Sequence, residues 1–119
     1  MVTKYPRRVT TIAQHQLQKR MIKIGTTRDV PDGNGREIIV EGRKLALFKV
    51  EGEYHAIANL CLHRGGPLAD GELNGHIVTC PWHGWKYDVR TGAFEIIPTL
   101  KVKSYKVELK GEDLYVEIE

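Results

Sequence analysis

Two short segments of the chain combine a cysteine with a histidine, and these residue types are well suited to bind metal. The first segment is Cys61-Leu62-His63, and the second is Cys80-Pro81-Trp82-His83. Together they contain both cysteines and two of the five histidines of the 119-residue chain. Thiolate and imidazole ligands suit zinc or iron–sulfur chemistry rather than calcium or magnesium. The spacing therefore predicts one metal centre with four protein ligands.

Residue types alone leave three interpretations of these four residues open. A structural zinc site with two cysteines and two histidines usually pairs like with like along the chain, whereas each segment here mixes the two types. A centre with two inequivalent irons, one held by both cysteines and the other by both histidines, asks for one of each from each segment. The third interpretation is that the cysteines and histidines are ordinary core residues.

The wider segments at residues 61–66 (CLHRGG) and 80–85 (CPWHGW) resemble the two cluster-binding boxes of the Rieske iron–sulfur family. The resemblance extends over about residues 21–119. It implies a 2Fe–2S cluster whose inner iron is bound by Cys61 and Cys80 and whose outer iron is bound by His63 and His83. The outer edges of the two imidazoles are then expected near solvent, where an electron would leave.

The resemblance also bears on the reduction potential. High-potential members of the family carry an extra disulfide between the two loops and a serine hydroxyl that donates to a cluster sulfur, but this chain has Leu62, Trp82 and Trp85 at those positions. The potential is therefore expected at the low end of the Rieske range, which spans roughly −150 to +300 mV. Tyr87 matches the position of a second hydroxyl donor, and a buried core aromatic is the alternative interpretation.

What the resemblance implies about function is one-electron transfer. A Rieske-type ferredoxin passes electrons from a reductase to a terminal oxygenase or a similar oxidoreductase. Catalysis in this chain itself is not expected, because the mononuclear iron of such an oxygenase needs two histidines and a carboxylate from a further domain. Two alternatives are a small Rieske-like subunit of a nitrite reductase or other multi-subunit oxidoreductase, and a zinc-binding interaction module.

The elements that position the two loops are predicted to be short antiparallel strands. Twelve glycines and few good helix formers favour a mainly β protein. Glu41-Gly42 and Glu51-Gly52 predict two-residue hairpin loops. Apolar and polar residues alternate over 105–109 and over 114–118, which predicts two half-buried strands.

A loop-rich segment interrupts these strands and carries the candidate ligands. Within residues 61–92 only Ile77–Thr79 is predicted as a strand. The predicted fold is an antiparallel β-sandwich with a smaller cluster-binding subdomain of two loops, at about residues 60–92. Outside the loops, His55 is expected to be structural and His76 to lie at the surface.

Charge is distributed unevenly along the chain. The formal net charge is +3, but residues 1–28 carry seven basic and no acidic residues, whereas residues 29–119 carry 11 basic and 15 acidic residues. We therefore expect a basic extension over residues 1–20, followed by an iron–sulfur domain over residues 21–119. The extension is solvated or pairs along the body of the protein, or it docks on an acidic partner or on anionic lipid. No nucleic-acid motif accompanies it, so nucleic acid is not an expected partner.

Cysteine usage and hydropathy indicate the compartment. Two cysteines that bind metal leave none for a disulfide, which fits a reducing environment. No apolar run approaches the roughly 18 residues of a membrane span, and residues 1–20 contain no apolar signal segment. The expectation is a cytoplasmic protein with no membrane span.

Overall fold

The computed structural model describes residues 19–119, and these residues form short strands joined by tight turns. The strands are β1 (Arg20–Thr26), β2 (Gly35–Val40), β3 (Arg43–Val50), β4 (Glu53–Ala58), β5 (Glu72–Asn74), β6 (Ile77–Thr79), β7 (Lys86–Asp88), β8 (Ser104–Tyr105), β9 (Val107–Lys110) and β10 (Asp113–Ile118). One 3-10 turn lies at Leu68–Asp70. None of the described residues belongs to a helix long and apolar enough to cross a bilayer. The prediction of a mainly β protein is confirmed.

Three antiparallel sheets organise the strands. Their orders are β1-β10-β9, β2-β3-β4-β8 and β5-β6-β7. The first two sheets pack against each other through buried aliphatic side chains such as Leu45, Val116 and Ile118. This is the expected antiparallel sandwich, and the third sheet belongs to the segment that carries the candidate ligands. Residues 1–18 of the predicted basic extension lie outside the described part of the chain. The first strand, β1, begins at Arg20.

Strand β3 is buried on both faces and joins the layers. Leu45 packs with Val116 of the first sheet, whereas Ala46 and Phe48 pack with Tyr87 of the third sheet. Side chains alternate between the two faces of a strand. The four-stranded sheet therefore carries its sandwich partner on one face and the ligand-bearing subdomain on the other, which gives the site a rigid base.

The two predicted hairpin loops are confirmed. Glu41 and Gly42 have φ values of 51° and 80°, and Glu51 and Gly52 have the same pair of values. Positive φ at both central residues is the signature of a type I′ turn, whose twist matches that of the flanking strands. These turns set the pairing of β2 with β3 and of β3 with β4, so they also determine where β4 ends and the first ligand loop begins.

The prediction that Ile77–Thr79 is the only strand within residues 61–92 is wrong. Glu72–Asn74 and Lys86–Asp88 pair on either side of it. Each added strand has only three residues, so alternation cannot be recognised over such a length. Pairing with β6 stabilises these two strands, and the subdomain is a small sheet with loops at one end rather than two loops alone.

Candidate metal centre

The two predicted ligand pairs follow strands of two different sheets, β4 and β6. Cys61 lies three residues beyond the end of β4, and Cys80 follows β6 directly. Both cysteines are free and buried, whereas His63 and His83 are exposed. Each loop therefore turns its thiol toward the core and its imidazole toward solvent.

The two loops share the same internal hydrogen bonds. The backbone N–H of Cys61 donates to the carbonyl of Gly66 at 2.9 Å, and that of Cys80 donates to the carbonyl of Trp85 at 2.7 Å. In the opposite direction, the N–H of Gly65 donates to Cys61 and the N–H of Gly84 donates to Cys80.

A glycine is required at the fifth position of each loop. Gly65 and Gly84 have φ values of 71° and 78°, which glycine adopts at no steric cost. The two closed turns are thus related in backbone shape, although histidine is the third residue of one and the fourth of the other.

The fold brings all four predicted residues together. The ring centroids of His63 and His83 are 4.7 Å apart, and the thiol of Cys61 lies close enough to that of Cys80 to raise its pKa. Gly66 allows this approach, because a Cβ at that position would lie 2.6 Å from the Sγ of Cys80. The two buried thiols thus lie on the inner side of the site and the two exposed imidazoles on its outer side.

The donor set and its burial fit a 2Fe–2S group. Burial raises the pKa of the Cys80 thiol, while the backbone N–H groups of Trp82 and His83 point at its sulfur and oppose that shift. Such N–H groups stabilise a thiolate that is bound to metal. Metal binding must displace the thiol protons, and the site then offers two anionic sulfurs inside and two neutral imidazoles outside.

Tyr87 reaches this site from β7. Its side chain is fully buried, and its hydroxyl lies 3.2 Å from the Sγ of Cys61. The same oxygen accepts a hydrogen bond from the N–H of Leu62 at 3.0 Å, so its own proton is free to point at the sulfur. Burial raises the pKa of Tyr87 well above its usual value, which keeps the hydroxyl protonated as a donor.

An aromatic column supports the exposed side of the site. Trp85 stacks on His63 with ring centroids 4.7 Å apart and planes 6° apart, and Phe94 stacks beneath Trp85 at 4.4 Å. This column fixes the plane of the His63 ring and shields one of its faces from water. Trp82, by contrast, leaves 56% of its surface exposed.

Asn59 is a site-positioning residue that the sequence reasoning missed. Within residues 19–119 it is the only buried polar residue. Its Oδ1 accepts from the N–H of Ala69 at 2.7 Å, and its Nδ2 donates to a carboxylate oxygen of Glu37 at 2.7 Å. The sequence signal that could have identified Asn59 is its position as a polar residue directly after the apolar run of β4. Asn59 ties both ends of the Cys61 loop to the four-stranded sheet.

The fold and the ligand set define an iron–sulfur protein of the Rieske class. Residues 20–106 match the family described as Rieske [2Fe-2S] domain, and the chain belongs to this family. It carries a Rieske-type 2Fe–2S cluster and is a one-electron carrier. The family membership supports the iron–sulfur interpretation over the zinc module and over four ordinary core residues.

Relatives of known role are ferredoxins. The chain is 37% identical over 91 residues to the ferredoxin component of the naphthalene 1,2-dioxygenase system of Pseudomonas aeruginosa, with 76% of this chain and 88% of that protein covered. The corresponding Pseudomonas putida component is 40% identical over the same coverage. These relatives are electron-transfer components, so the class to which this chain belongs is a Rieske-type ferredoxin rather than a catalytic enzyme.

Solved structures agree in fold. One chain of the complex of reduced oxygenase and oxidized ferredoxin in carbazole 1,9a-dioxygenase superimposes with a TM-score of 0.74 at 28% identity, covering 81% of this chain and 91% of that one. A small subunit of a putative NADH-dependent nitrite reductase from Mycobacterium tuberculosis superimposes with a TM-score of 0.79 at 17% identity, covering 86% and 97%. The second likeness shows the fold alone.

Proposed function

We propose that Cys61 and Cys80 bind the inner iron of the cluster and that His63 and His83 bind the outer iron. The main support is the convergence of two buried thiols and two exposed imidazoles, whose rings lie 4.7 Å apart, at the tips of two matched loops. When bound, the cluster accepts and releases one electron. The protein residues hold it, exclude water from its inner side and leave its imidazole side accessible.

The exposed imidazole edges form the exit for the electron. Leu62 and Trp82 are neighbours of the two histidines in sequence, and they leave 47% and 56% of their surface exposed. Apolar and aromatic side chains of this kind are common at the centre of protein–protein contacts. We define Leu62, His63, Trp82 and His83 as the cluster tip, and the proposal assigns the docking of redox partners to it.

The proposed electron acceptor is the terminal oxygenase of a dioxygenase-type system, and the proposed donor is a reductase. The support is that relatives at 37% and 40% identity are ferredoxin components of naphthalene 1,2-dioxygenase systems. A solved complex of ferredoxin with oxygenase supports the same assignment. A reductase is proposed as the donor because an electron carrier must be reduced by one partner before it is oxidised by another.

Electron delivery is tested with purified holoprotein in place of the ferredoxin component of a naphthalene 1,2-dioxygenase system. We expect naphthalene oxidation that depends on this protein. The variant Trp82→Ala, which alters the cluster tip without removing a ligand, should lower the rate with the reduction potential unchanged. Holoprotein that delivers no electrons to oxygenase components, and instead supports the large subunit of a nitrite reductase, would favour the alternative role.

The ligand assignment is tested by His83→Cys. A thiolate in place of a neutral imidazole adds negative charge next to the iron, so we expect an intact cluster with a lower reduction potential. The measurement is a redox titration followed by visible spectra, with iron content determined in parallel. His15→Ala is the control, because it removes a histidine that is not assigned to the cluster. An intact cluster with an unchanged potential in His83→Cys would contradict the assignment of His83.

A further inference from the structure

A second group of metal-ligating side chains lies outside the four cluster residues. Glu53, His55 and His76 each place one ligand atom within 4.8 Å of the other two. Glu53 and His55 are two residues apart on β4, so they project from the same face of the strand. His76 comes from the two-residue loop between β5 and β6. The sequence alone gave no reason to expect that the two histidines meet.

The donor atoms are oriented for a ligand that the protein itself does not supply. The Nε2 of His55 is buried and makes no hydrogen bond. The nearest carboxylate oxygen, from Glu53, is 3.9 Å away, which is too far for a hydrogen bond. A buried ring nitrogen without a partner is unfavourable, and a bound cation would satisfy it.

The distances are close to those of a coordinated ion. Donor atoms around a tetrahedral ion with bonds of roughly 2.1 Å lie about 3.4 Å apart. The 3.9 Å separation of Glu53 and His55 needs only a small adjustment, and Glu53 is free to make it because 74% of its side chain is exposed. The rings of His55 and His76 have centroids 5.6 Å apart and stand 75° from each other, so they approach the gap from different directions.

The backbone around His76 is fixed before any ligand binds. Its carbonyl accepts a hydrogen bond from the N–H of Val89 at 2.8 Å, and Ile77 beside it pairs with Asp88. Gly75, with a φ of 60°, forms the tight turn that delivers His76. The loop is thus held by the third sheet, while His55 is held by the second.

The local charges favour a cation. Desolvation by burial lowers the pKa of His55, and the nearby His76 acts in the same direction, so the His55 ring is neutral at neutral pH with a lone pair available. Glu53 and Asp88 supply negative charge near the histidines, and Arg90 pairs with Asp88 at 2.8 Å and offsets part of it. A divalent cation would gain from the remaining carboxylate charge.

We propose that Glu53, His55 and His76 form a site for a borderline divalent transition-metal ion such as Zn²⁺. Two imidazoles and one carboxylate are ligands that zinc prefers, and water completes the coordination. The ion links β4 of the four-stranded sheet to the β5–β6 loop of the subdomain that holds the cluster. Zinc binding therefore stabilises the attachment of that subdomain, independently of the electron-carrier role.

The test is equilibrium dialysis of the iron-loaded protein against chelator-buffered Zn²⁺, with zinc and iron determined by mass spectrometry. The expected result is one zinc per chain in addition to two irons, with an unchanged visible spectrum of the cluster. His76→Ala and Glu53→Gln should each weaken zinc binding by at least about 10-fold, since even the loss of a residue that only supports a ligand costs that much. Zinc should also raise the midpoint of thermal unfolding, and this shift should be lost in His76→Ala.

Two controls are matched to these variants. Glu51→Gln changes an exposed carboxylate in the same hairpin as Glu53, and His15→Ala removes the one histidine that is assigned neither to the cluster nor to the zinc site. Both should bind zinc like the unmodified protein. The proposal is overturned if no zinc binds beyond the irons, if zinc uptake is matched by loss of iron, or if His76→Ala binds as tightly as the controls.

Discussion

At the scale of single residues, Tyr87 is the side chain that most directly adjusts the cluster. Its hydroxyl accepts a hydrogen bond from Leu62 and lies 3.2 Å from the Sγ of Cys61. A donor to a ligand sulfur stabilises the reduced cluster, which carries more negative charge. Of the two interpretations of Tyr87 drawn from the sequence, this geometry favours the hydroxyl donor, and its full burial shows that it is a core aromatic as well.

Tyr87→Phe is therefore expected to lower the reduction potential. Loss of one hydrogen bond worth about 1 kcal/mol corresponds to roughly 40 mV for a one-electron couple. A redox titration followed by visible spectra measures the change, and Tyr105→Phe, at a half-buried position of the sandwich, is the matched control. If both variants had the same potential as the unmodified protein, the hydroxyl of Tyr87 would not act on the cluster.

The four candidate ligands could be predicted from the sequence because their chemistry is carried by residue type and spacing. Cys61, His63, Cys80 and His83 are close to one another in two short segments, and the structure brings the segments together. The encounter of His55 with His76 could not be predicted in this way. It depends on how β4 and the β5–β6 loop pack, and nothing local in either segment specifies that contact.

At the scale of elements, the two ligand loops depend on the strands that carry them. β4 leads into the Cys61 loop and β6 leads into the Cys80 loop, and equivalent hydrogen bonds close both turns. Period-two alternation predicted β10 well, because Leu114, Val116 and Ile118 are buried on one face of it. The single strand predicted over 105–109 is divided in the structure, with Tyr105 in β8 of the four-stranded sheet and Val107–Lys110 in β9 of the first sheet. Alternation failed for β5 and β7, because these two short strands depend on their pairing with β6 rather than on their own composition.

Asn59 provides a test of how the elements hold the first loop. Asn59→Ala removes the acceptor of the Ala69 N–H and the donor to Glu37. Leaving a buried N–H without a partner is expected to lower the free energy of unfolding by about 1–3 kcal/mol. Chemical denaturation of the iron-loaded protein measures this loss, with Asn74→Ala, at an exposed position, as the control. Equal stability of the two variants would show that Asn59 does not anchor the loop.

At the scale of the whole molecule, the three sheets divide into a base that supports the ligands and a subdomain that carries them. The sandwich of two sheets forms the base, and its four-stranded sheet is buried on both faces at β3. The ligand-bearing subdomain exposes the cluster tip to solvent. A rigid base keeps the ligands in place when the charge of the cluster changes. The exposed tip leaves a short path to a redox partner.

Removal of the basic extension tests whether redox partners dock only on the cluster tip. Removal of residues 1–18 is expected to leave the potential unchanged, because the proposed ligands all lie between residues 61 and 83. We also expect an unchanged rate of electron delivery, as for a solvated extension. A rate loss at low salt that disappears at high salt would instead identify the extension as an arm that docks on an acidic partner.

The central claim is that two cysteines and two histidines share one 2Fe–2S cluster. Electron–nuclear double resonance of the reduced protein, with histidine labelled by nitrogen-15, tests it most directly. The account predicts couplings from two histidine nitrogens to the cluster spin, and His83→Cys should retain only one of them. A reduced cluster without histidine couplings, or a colourless protein that contains zinc and no iron, would contradict the account.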